Sequence, residues 1–355
     1  MSPPPLVTVI TPTYNHERYL AACIDSLRAQ TFTDWEQIVV DDGSTDGTRG
    51  VAQRYDDPRI RYVAQEHVGL EGLAGTYNRA LAQARGSLIA ILEGDDTWPA
   101  DKLASQVPVF DDPEVVLAYG RSEVFGEGRH DFPPFIPSPE FERRFGLDAL
   151  ENRPVGRAAV AKLDFRGLTF TYPVSVMLRR TTLEAIGGFQ FRPGLLVTDH
   201  PTFLRMALEG RFHFTPRTMG HWRVHPGSST VARMDQILQA LWREVGRFRE
   251  QHGGRLDLTA ADWRRLEKSW DVFMGWRELR HARRALVERR GDDARGHLAQ
   301  ALRVGRLTTK VTSVVGYAAS CLGLSVELVY RWRGRAWYRT APDGRAELVM
   351  QGQHT

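Results

Sequence analysis

The sequence predicts an α/β protein: a mostly parallel sheet flanked by helices, followed by a helical C-terminal appendage. Two observations lead to this fold class. Over the first hundred residues, short apolar segments rich in β-branched residues alternate with segments that carry an amphipathic helical stripe, as in folds built from strand–helix–strand crossovers. From residue 234 onward, by contrast, the apolar positions recur mainly at helical spacing, which predicts a separate helical region.

The predicted elements follow one another in a regular order. Strands are predicted at residues 6–11, 35–40, 59–64 and 88–92, and helices at residues 19–30 and 75–85. The stripe formed by Leu20, Cys23, Ile24 and Leu27 indicates a helix packed on a sheet. The nearly unbroken apolar run at residues 88–92 is typical of a strand buried on both faces. Further along, residues 112–119 predict a step from helix to strand, and residues 171–180 predict another strand.

The charge is unevenly distributed along the 355 residues. From residue 231 onward there are 23 Lys and Arg against 14 Asp and Glu, whereas the preceding residues carry 24 against 29. We therefore predict two domains, an α/β domain at residues 1–230 and a basic helical region at residues 231–355. The first residues lack the basic start and apolar core of a secretory signal, so we expect a cytoplasmic protein, with its basic region available to the inner face of the membrane.

Polar loops follow three of the predicted strands, at the edge where open α/β sheets bind their ligands. Residues 12–15 follow the first strand, Asp41 and Asp42 follow the second, and Glu93, Asp95 and Asp96 follow the fourth. Carboxylates in such a position suit Mg²⁺ or Mn²⁺. The alternatives are an exposed acidic turn after the fourth strand and a helix-capping turn after the second. The sequence contains neither a G-x-G-x-x-G nor a P-loop motif, which argues against a dinucleotide cofactor and a P-loop ATPase.

Three segments resemble the successive signatures of the family two glycosyltransferases. They are TPTYNHERYL at residues 11–20, QTFTDWEQIVVDDGSTDGT at residues 30–48 and GTYNRALAQARGSLIAILEGDD at residues 75–96. The resemblance extends over about residues 6–230, and its specificity comes from the order and spacing of the three segments together. It implies a nucleotide-sugar-binding fold of the GT-A type, and transfer of a sugar with inversion at its anomeric carbon.

The resemblance also implies roles for individual residues. Thr11, Pro12 and Tyr14 would line the pocket for the nucleotide base, and Asp41 would hydrogen-bond that base, usually uracil. Asp95 would approach the ribose or sugar of the donor. Asp96 would bind a divalent metal, Mn²⁺ or Mg²⁺, that bridges the diphosphate. Glu93 stands where the common pattern has Asp, so its share in binding is less well defined.

A second group of implied site residues lies further along the chain. Asp199 corresponds to the general base that deprotonates the acceptor, although Thr198 replaces the Glu that usually precedes it; the alternative is that Asp199 caps a helix. In the segment HWRVHPGSST, residues 221–230, His225 would complete the metal shell or contact phosphate. Arg223 would neutralise charge on the leaving group. For His225 the alternative is a structural histidine.

The C-terminal region leaves several interpretations open. Residues 281–305 predict a helical hairpin that turns near Gly291. Residues 311–330 are long enough to span a bilayer but contain Glu327 and several glycines and serines, and the following RWRGRAWYR interleaves arginines with aromatic residues as interfacial anchors do. Peripheral membrane contact, a helix buried against the catalytic domain and a true span all remain open. The proline-rich residues 132–139 predict either an excursion over the acceptor side or a surface loop.

Together these features predict a metal-dependent, inverting glycosyltransferase that uses a nucleoside-diphosphate sugar, most simply a UDP-sugar. The acceptor could be a glycan, a lipid-linked sugar, a peptide or a small molecule, and we expect no nucleic-acid partner. Two rivals remain at this level: a nucleotidyltransferase with a similar sheet, and a basic-tailed binding protein with a degenerate cleft. The sequence identifies neither the sugar, nor the linkage, nor the oligomeric state.

Overall fold

A computed structural model describes residues 3–127, 135–164, 170–191, 196–288, 290–304, 307–321, 336–340 and 346–350. Its contacts divide the chain into two compact units. The first runs to Asp257, and the second comprises the residues from Leu258 onward together with the short segment at Asp164. The division into functional domains at residues 230 and 231 stays a prediction.

The first unit begins with the alternation of strands and helices that the sequence predicts. In chain order its elements are β1 (Val7–Thr13), α1 (Leu20–Arg28), β2 (Trp35–Asp41), α2 (Thr48–Gln53), β3 (Ile60–Ala64), α3 (Gly69–Leu81), β4 (Leu88–Ile91), α4 (Lys102–Gln106), β5 (Val115–Phe125), β6 (Phe135–Ile136), α5 (Pro139–Leu150), α6 (Arg157–Leu163), β7 (Met177–Arg179), α7 (Arg180–Ala185), α8 (Asp199–Met206), β8 (Arg211–Arg223), α9 (Ser229–Ala232) and α10 (Met234–His252). Residues 132–134 of the proline-rich segment lie outside the described residues.

The eight strands of this unit form one sheet that is mostly parallel. Its order is β3-β2-β1-β4-β7-β5, with β8 paired to β5 and β6 paired to the far end of β5. The pairs β1–β2, β1–β4, β2–β3 and β5–β8 are parallel, whereas β7 runs antiparallel to both β4 and β5. The predicted α/β fold class is therefore confirmed, with one antiparallel strand inserted between the two parallel parts.

Pro12 lies inside β1, although the sequence predicts that the strand ends before it. The pairing of β1 with β4 stops at Ile10 opposite Ile91. The carbonyl of Pro12 accepts from the amide of Gly94 at 3.0 Å, so residue 12 faces the loop that follows β4. Proline has no N–H to donate, and it is tolerated here because the pairing with β4 has already ended at Ile10. Strand β1 continues to pair with β2 as far as Thr13 opposite Asp41.

The sheet core has the burial expected of a strand layer covered by helices. All seven residues of β1 and all four of β4 are buried, and the stripe of α1, Leu20, Cys23, Ile24 and Leu27, is fully buried against the sheet. Helix α3 starts at Gly69, six residues before the predicted start. Its first turn is anchored by Asp42, whose carboxylate accepts from the amides of Val68 and Gly69.

The second unit is built from helices and a short β-hairpin. Its elements are α11 (Ala260–Val287), α12 (Gly291–Val304), α13 (Leu307–Cys321), β9 (Ala336–Thr340) and β10 (Ala346–Met350). The predicted turn near Gly291 is confirmed, since α11 ends and α12 begins there. The hairpin was not predicted: β9 falls within the basic aromatic segment, and alternation of residue types over five positions is a weak signal.

The segment at residues 311–330, for which the sequence leaves membrane contact, a buried helix and a span open, is described only as far as Cys321, and residues 322–335 lie outside the described residues. Within the part of the chain that is described, no helix has the length and apolar character needed to cross a bilayer.

Candidate active site

The ends of β1, β2 and β4 bring the predicted site residues to one edge of the sheet. Thr13 pairs with Asp41, and the amide of Asp42 donates to the carbonyl of Thr13 at 2.9 Å. The loop after β4 is tied to β1 through the Gly94 amide. The segments that begin with Tyr14, Asp42 and Glu93 therefore leave the sheet side by side, because β1 lies between β2 and β4 and the three strands are parallel.

Three carboxylates are crowded in the loop after β4. Burial raises the pKa of Glu93 to about 8, and the nearby charges of Asp95 and Asp199 act in the same direction. Burial together with the charges of Asp95 and Glu93 also raises the pKa of Asp96 well above its usual range. Such a cluster is unfavourable without a compensating cation, which makes it a candidate site for one.

Asp96 has one satisfied and one unsatisfied oxygen. Its Oδ1 accepts from the backbone amide of Arg223 at 2.8 Å. Its Oδ2 is buried and has no hydrogen-bond partner in the described part of the chain. A buried carboxylate oxygen without a partner is costly, so Asp96 has a free ligand atom in a position that favours metal binding.

Asp95 lies beside two histidines. Its Oδ2 is 3.2 Å from Nε2 of His225, and one potential ligand atom from each of His16, Asp95 and His225 lies within 4.8 Å of the others. Burial acts to raise the pKa of Asp95, but the imidazoles of His16 and His225 outweigh it and hold the pKa below its usual range. His16 was not among the predicted site residues, although it follows directly after TPTYN in the first motif.

Gly94 allows this cluster to pack closely. A Cβ atom at residue 94 would lie 2.6 Å from Oγ1 of Thr13 and 2.8 Å from Nδ1 of His16. Both of these atoms are buried and unpartnered within the described residues. Only glycine leaves room for them, so Gly94 contributes to the site through the space that it leaves.

Arg223 is the last residue of β8 and is hydrogen-bonded to the carboxylate loop that follows β4. Besides the bond from its amide to Asp96, its Nε donates to the carbonyl of Asp95 at 2.8 Å. The guanidinium also stacks on the rings of Tyr19 and Phe125, at 5.0 and 4.3 Å from their centroids. Residues that are far apart in sequence, 95–96 and 223–225, thus form one side of the candidate site.

The predicted nucleotide pocket is partly preassembled. Asp41 accepts from the amide and the hydroxyl of Ser44, at 2.9 and 2.6 Å, and from the hydroxyl of Tyr62. Tyr14 is exposed and stacks on His67 with ring centroids 4.2 Å apart. Thr11 and Pro12 are buried in β1, and Oγ1 of Thr11 accepts from Gln37 at 2.9 Å. Of these four residues, Tyr14 is the one with an accessible ring.

His67 owes its position to Asp42. Its Nδ1 lies 2.9 Å from the carbonyl of Asp42 and 3.0 Å from the carboxylate of the same residue. Asp42 also accepts from Gln65 at 2.6 Å. Asp42 is therefore a structural anchor for the loop after β3, and this loop supplies a second ring, His67, that no motif in the sequence indicated.

Asp199 is the first residue of α8, and Thr198 occupies the N-cap position. Burial raises the pKa of Asp199, whereas the positive charge of Lys162 and backbone hydrogen bonds act to lower it. Asp199 in turn raises the pKa of Glu93 and Tyr77, which places it near the carboxylate loop. The predicted base and the predicted metal site are thus brought to the same region of the first unit.

Glu93 has a partner that explains part of its departure from the common pattern. The hydroxyl of Tyr77 in α3 donates to Oε1 of Glu93 at 2.7 Å, and the ring of Tyr77 packs on Phe189 with centroids 4.8 Å apart. Asn78, the next residue of α3, exchanges two hydrogen bonds of 2.8 Å with the backbone of Phe189. Glu93 is therefore held against α3, which is itself bonded to the backbone of Phe189.

Comparison with known proteins supports the interpretation of this fold. Solved structures that resemble the chain include the mannosyltransferase PcManGT from Pyrobaculum calidifontis in complex with GDP-Man and Mn²⁺, with a TM-score of 0.53, 22% identity and coverage of 90% of this chain and 81% of that one. S. aureus TarS 1–349 in complex with UDP-GlcNAc has a TM-score of 0.54 at 16% identity, over 98% of each chain. The fold is that of the GT-A type glycosyltransferases.

Sequence comparison gives the family. The family described as "Glycosyl transferase family 2" matches residues 8–187, more than half of the chain. The Escherichia coli UDP-Glc:alpha-D-GlcNAc-diphosphoundecaprenol beta-1,3-glucosyltransferase WfaP is 33% identical over 235 residues, 66% of this chain and 83% of WfaP. The chain belongs to glycosyl transferase family 2.

Another relative is matched over a smaller part of its length. The putative teichuronic acid biosynthesis glycosyltransferase TuaG of Bacillus subtilis is 36% identical over 154 residues, 43% of this chain. The match spans 60% of TuaG, less than two thirds of its length.

Proposed function

We propose that this protein transfers a sugar from a nucleoside-diphosphate sugar, a UDP-sugar, to an acceptor hydroxyl with inversion, as a step in the synthesis of a cell-surface polysaccharide. The observation that carries the proposal is the loop after β4. There, Glu93, Asp95 and Asp96 are crowded together beside two imidazoles, and one oxygen of Asp96 is buried without a partner.

The donor set at this loop fits a divalent metal. The ligand atoms of His16, Asp95 and His225 lie within 4.8 Å of one another. Asp96, which was predicted to share the metal with His225, is not part of that group, but it offers a free Oδ2 in the same loop. A site that combines carboxylates with imidazoles suits Mn²⁺ better than Mg²⁺, which prefers oxygen ligands. A bound ion would supply positive charge against the diphosphate of the donor. Arg223, which is held at the same loop, would add to that charge.

Asp199 is the proposed general base. It starts α8, its pKa is raised by burial, and it lies within electrostatic reach of Glu93. A carboxylate whose pKa is raised towards neutrality is a better base than an ordinary exposed one. Thr198 takes the N-cap position, so the position of Asp199 in the helix does not require it to act as the cap.

The choice of donor rests on the relatives. WfaP is named for UDP-Glc and a lipid-diphosphate-linked GlcNAc, and TarS was solved with UDP-GlcNAc. PcManGT was solved with GDP-Man, so guanine is the alternative base. The proposed pocket, in which the exposed ring of Tyr14 stacks on His67, suits a planar base. The acceptor class proposed from WfaP and TuaG is a membrane-linked or cell-surface glycan.

Helix α13 supports a proposed contact with a membrane surface. Its small polar residues Thr309 and Ser313 are buried, whereas Val311, Val314 and Val315 are 48%, 55% and 44% exposed. This is the reverse of the usual amphipathic pattern. From residue 303 to residue 326 the sequence contains basic residues but no Asp or Glu. An apolar helix face with basic flanks is complementary to an anionic lipid surface, which we propose as its partner.

The first test is thermal stability with UDP, GDP, TDP and CDP, each with and without Mn²⁺. We expect UDP to raise the melting temperature only when the metal is present. A ligand at about 100 times its dissociation constant stabilises by about 2.7 kcal/mol, which is easily measured. The Asp96→Ala variant should lose this metal-dependent shift. If no nucleoside diphosphate moves the transition of the unmodified protein, the proposed donor class is wrong.

The second test separates binding from catalysis. The Asp199→Asn variant should fold normally and show the same UDP shift, but lose sugar transfer by about 100-fold or more, because general-base catalysis contributes about that much. Unchanged turnover in this variant would remove Asp199 from the mechanism.

A further inference from the structure

Lys162 is a buried lysine that no sequence motif singled out. It lies in α6, is 1% exposed, and donates from Nζ to Oγ1 of Thr171 at 2.7 Å. Its ammonium group lies 4.7 Å from the ring centroid of Phe170 and 5.7 Å from that of Phe203. Within the described residues, the ammonium group has one hydrogen-bonding hydroxyl and two aromatic rings as its close partners. A buried ammonium with so few partners is costly to keep, so its retention calls for a reason.

The packing of α6 places Lys162 against the helix that carries the proposed base. Helices α6 and α8 contact each other. Phe203, whose ring lies near the Lys162 ammonium, follows Asp199 by four residues on α8. Residues four apart lie on the same face of a helix. Lys162 therefore faces the side of α8 on which Asp199 begins the helix.

We propose that Lys162 is a positioning residue that keeps the carboxyl group of Asp199 ionised and oriented for removal of the acceptor proton. This inference rests on the proposed function and adds a named residue to it. The role is electrostatic, because Lys162 acts through Asp199 and is not assigned any contact with substrate.

The electrostatic balance around Asp199 is consistent with this role. Burial lowers the pKa of Lys162 to about 8, while the charge of Asp199 acts to raise it. Among the described residues, the other titratable groups that interact electrostatically with these two are Glu93, Tyr77, Tyr172 and His200. None of them supplies a lasting positive charge, since burial lowers the pKa of His200 well below its usual range. Lys162 is thus the cation of this group near neutral pH.

Lys102 provides a matched control. It is also fully buried, and burial lowers its pKa well below the usual range, but no acidic side chain contributes to that shift. Its Nζ donates to Oε1 of Gln106 at 2.6 Å and lies 4.2 Å from the centroid of the Trp98 ring. A change at Lys102 therefore removes a buried ammonium without removing a partner of the proposed base.

The first experiment compares pH profiles of transfer. In Lys162→Met the acid limb of kcat/KM should move to higher pH by about one unit, because Asp199 loses its neighbouring cation and binds a proton more readily. The variant should lose about tenfold in rate below the midpoint and recover at alkaline pH. Lys102→Met should leave the midpoint unchanged. Equal midpoints for Lys162→Met and the unmodified protein would overturn the proposal, as would equal shifts in both variants.

The second experiment requires neither activity nor a Lys162 variant that folds. The sequence contains four lysines, at positions 102, 162, 268 and 310, so ¹³C labelling of lysine Cε gives four NMR signals, and Lys102→Met identifies one of the two buried lysines. In Asp199→Asn the pKa of Lys162 should fall, because a charge that raises it is gone. An unchanged Lys162 pKa would refute the pairing. If the pKa falls but the unmodified protein transfers no sugar, the pairing stands and the proposed function fails.

Discussion

At the scale of single residues, the candidate site depends on Gly94 as much as on its carboxylates. We expect Gly94→Ala to displace Thr13 or His16, since a Cβ would lie 2.6 and 2.8 Å from their side chains. The variant should be destabilised by about 1–3 kcal/mol and should lose most of the Mn²⁺-dependent shift with UDP. Thermal melts with and without metal measure both effects.

Gly75 is the control for this substitution. It lies in α3, and no atom comes within 4 Å of a Cβ built at that position. Gly75→Ala should therefore be neutral or stabilise by about 0.5–1 kcal/mol, with the metal-dependent shift intact. A Gly94→Ala protein that behaves like Gly75→Ala would show that the close approach seen at Gly94 is unimportant.

Asn152 is a residue whose importance is structural. It is fully buried, has a φ of 53°, and makes four hydrogen bonds to backbone groups, at 2.7 Å to the carbonyls of Ala207 and Gly210, and at 2.9 and 2.8 Å from the amides of Gly156 and Ala158. Asn152→Ala should cost about 3 kcal/mol or more in urea unfolding, because it leaves these groups unpaired. Asn152→Gly, which accepts the backbone conformation, should be nearly as destabilised; near-normal stability would mean that the side-chain bonds contribute little.

At the scale of elements, the sequence predicted the first four strands and the first helix to within two residues at each end. These elements carry strong local signals, such as the stripe of α1 and the apolar run of β4. The insertion of antiparallel β7 between β4 and β5 was not predicted, because strand order depends on contacts between distant segments. The start of α3 was missed because it is fixed by the Asp42 carboxylate.

The same contrast applies to the candidate site. The sequence indicated the segments that carry Asp95, Asp96, Asp199 and His225, and the fold brings Asp95 to 3.2 Å from His225. Asp199 acts electrostatically on Glu93 in the same loop as Asp95. Lys162 and His67 had no sequence signal of their own. A lysine in a helix usually indicates an exposed position, and only the packing of α6 against α8 shows that Lys162 is buried. Residues such as Lys162 and His67 can be recognised once tertiary contacts are known.

The exposed valines of α13 give a prediction that concerns this helix alone. The protein should sediment with vesicles that contain anionic lipid and remain free with neutral vesicles at the same salt concentration. Replacing Val311, Val314 and Val315 together by serine should abolish sedimentation and leave the UDP shift unchanged. Replacing exposed Val68 in the first unit by serine is the control and should have no effect on sedimentation. Equal binding to both kinds of vesicle, or to neither, would contradict the proposed partner.

At the scale of the whole molecule, the stability of the second unit should depend on pH through one buried histidine. In the second unit His281 stacks on His297 with centroids 5.2 Å apart, and burial, aided by nearby arginines and His297, lowers the pKa of His281 to about 4. A histidine with a lowered pKa takes up a proton more readily when unfolded, so its contribution to stability is present above about pH 6.5 and is lost as the pH falls towards 4. Hydrogen exchange should therefore show the helices of the second unit opening more readily in this range.

The variant His281→Gln isolates this effect. Its second unit should lose less stability between pH 6.5 and 4 than that of the unmodified protein, because one titrating group has been removed. The first unit serves as an internal reference, since its exchange should be the same in both proteins. An identical acid response of the second unit in the two proteins would show that His281 does not contribute to it.

The pairing of β8 with β5 determines where the chain can be shortened. The family match ends at residue 187, before Asp199, Arg223 and His225. A protein truncated there would keep all three motif segments but would lack the Arg223 amide that supports Asp96. Without β8, the long edge of β5 would also be exposed to other chains. Such a fragment would be expected to aggregate and to bind no metal. If the proposed site is correct, the smallest active piece extends beyond β8, and the motifs alone are not evidence that a shorter homologue is active.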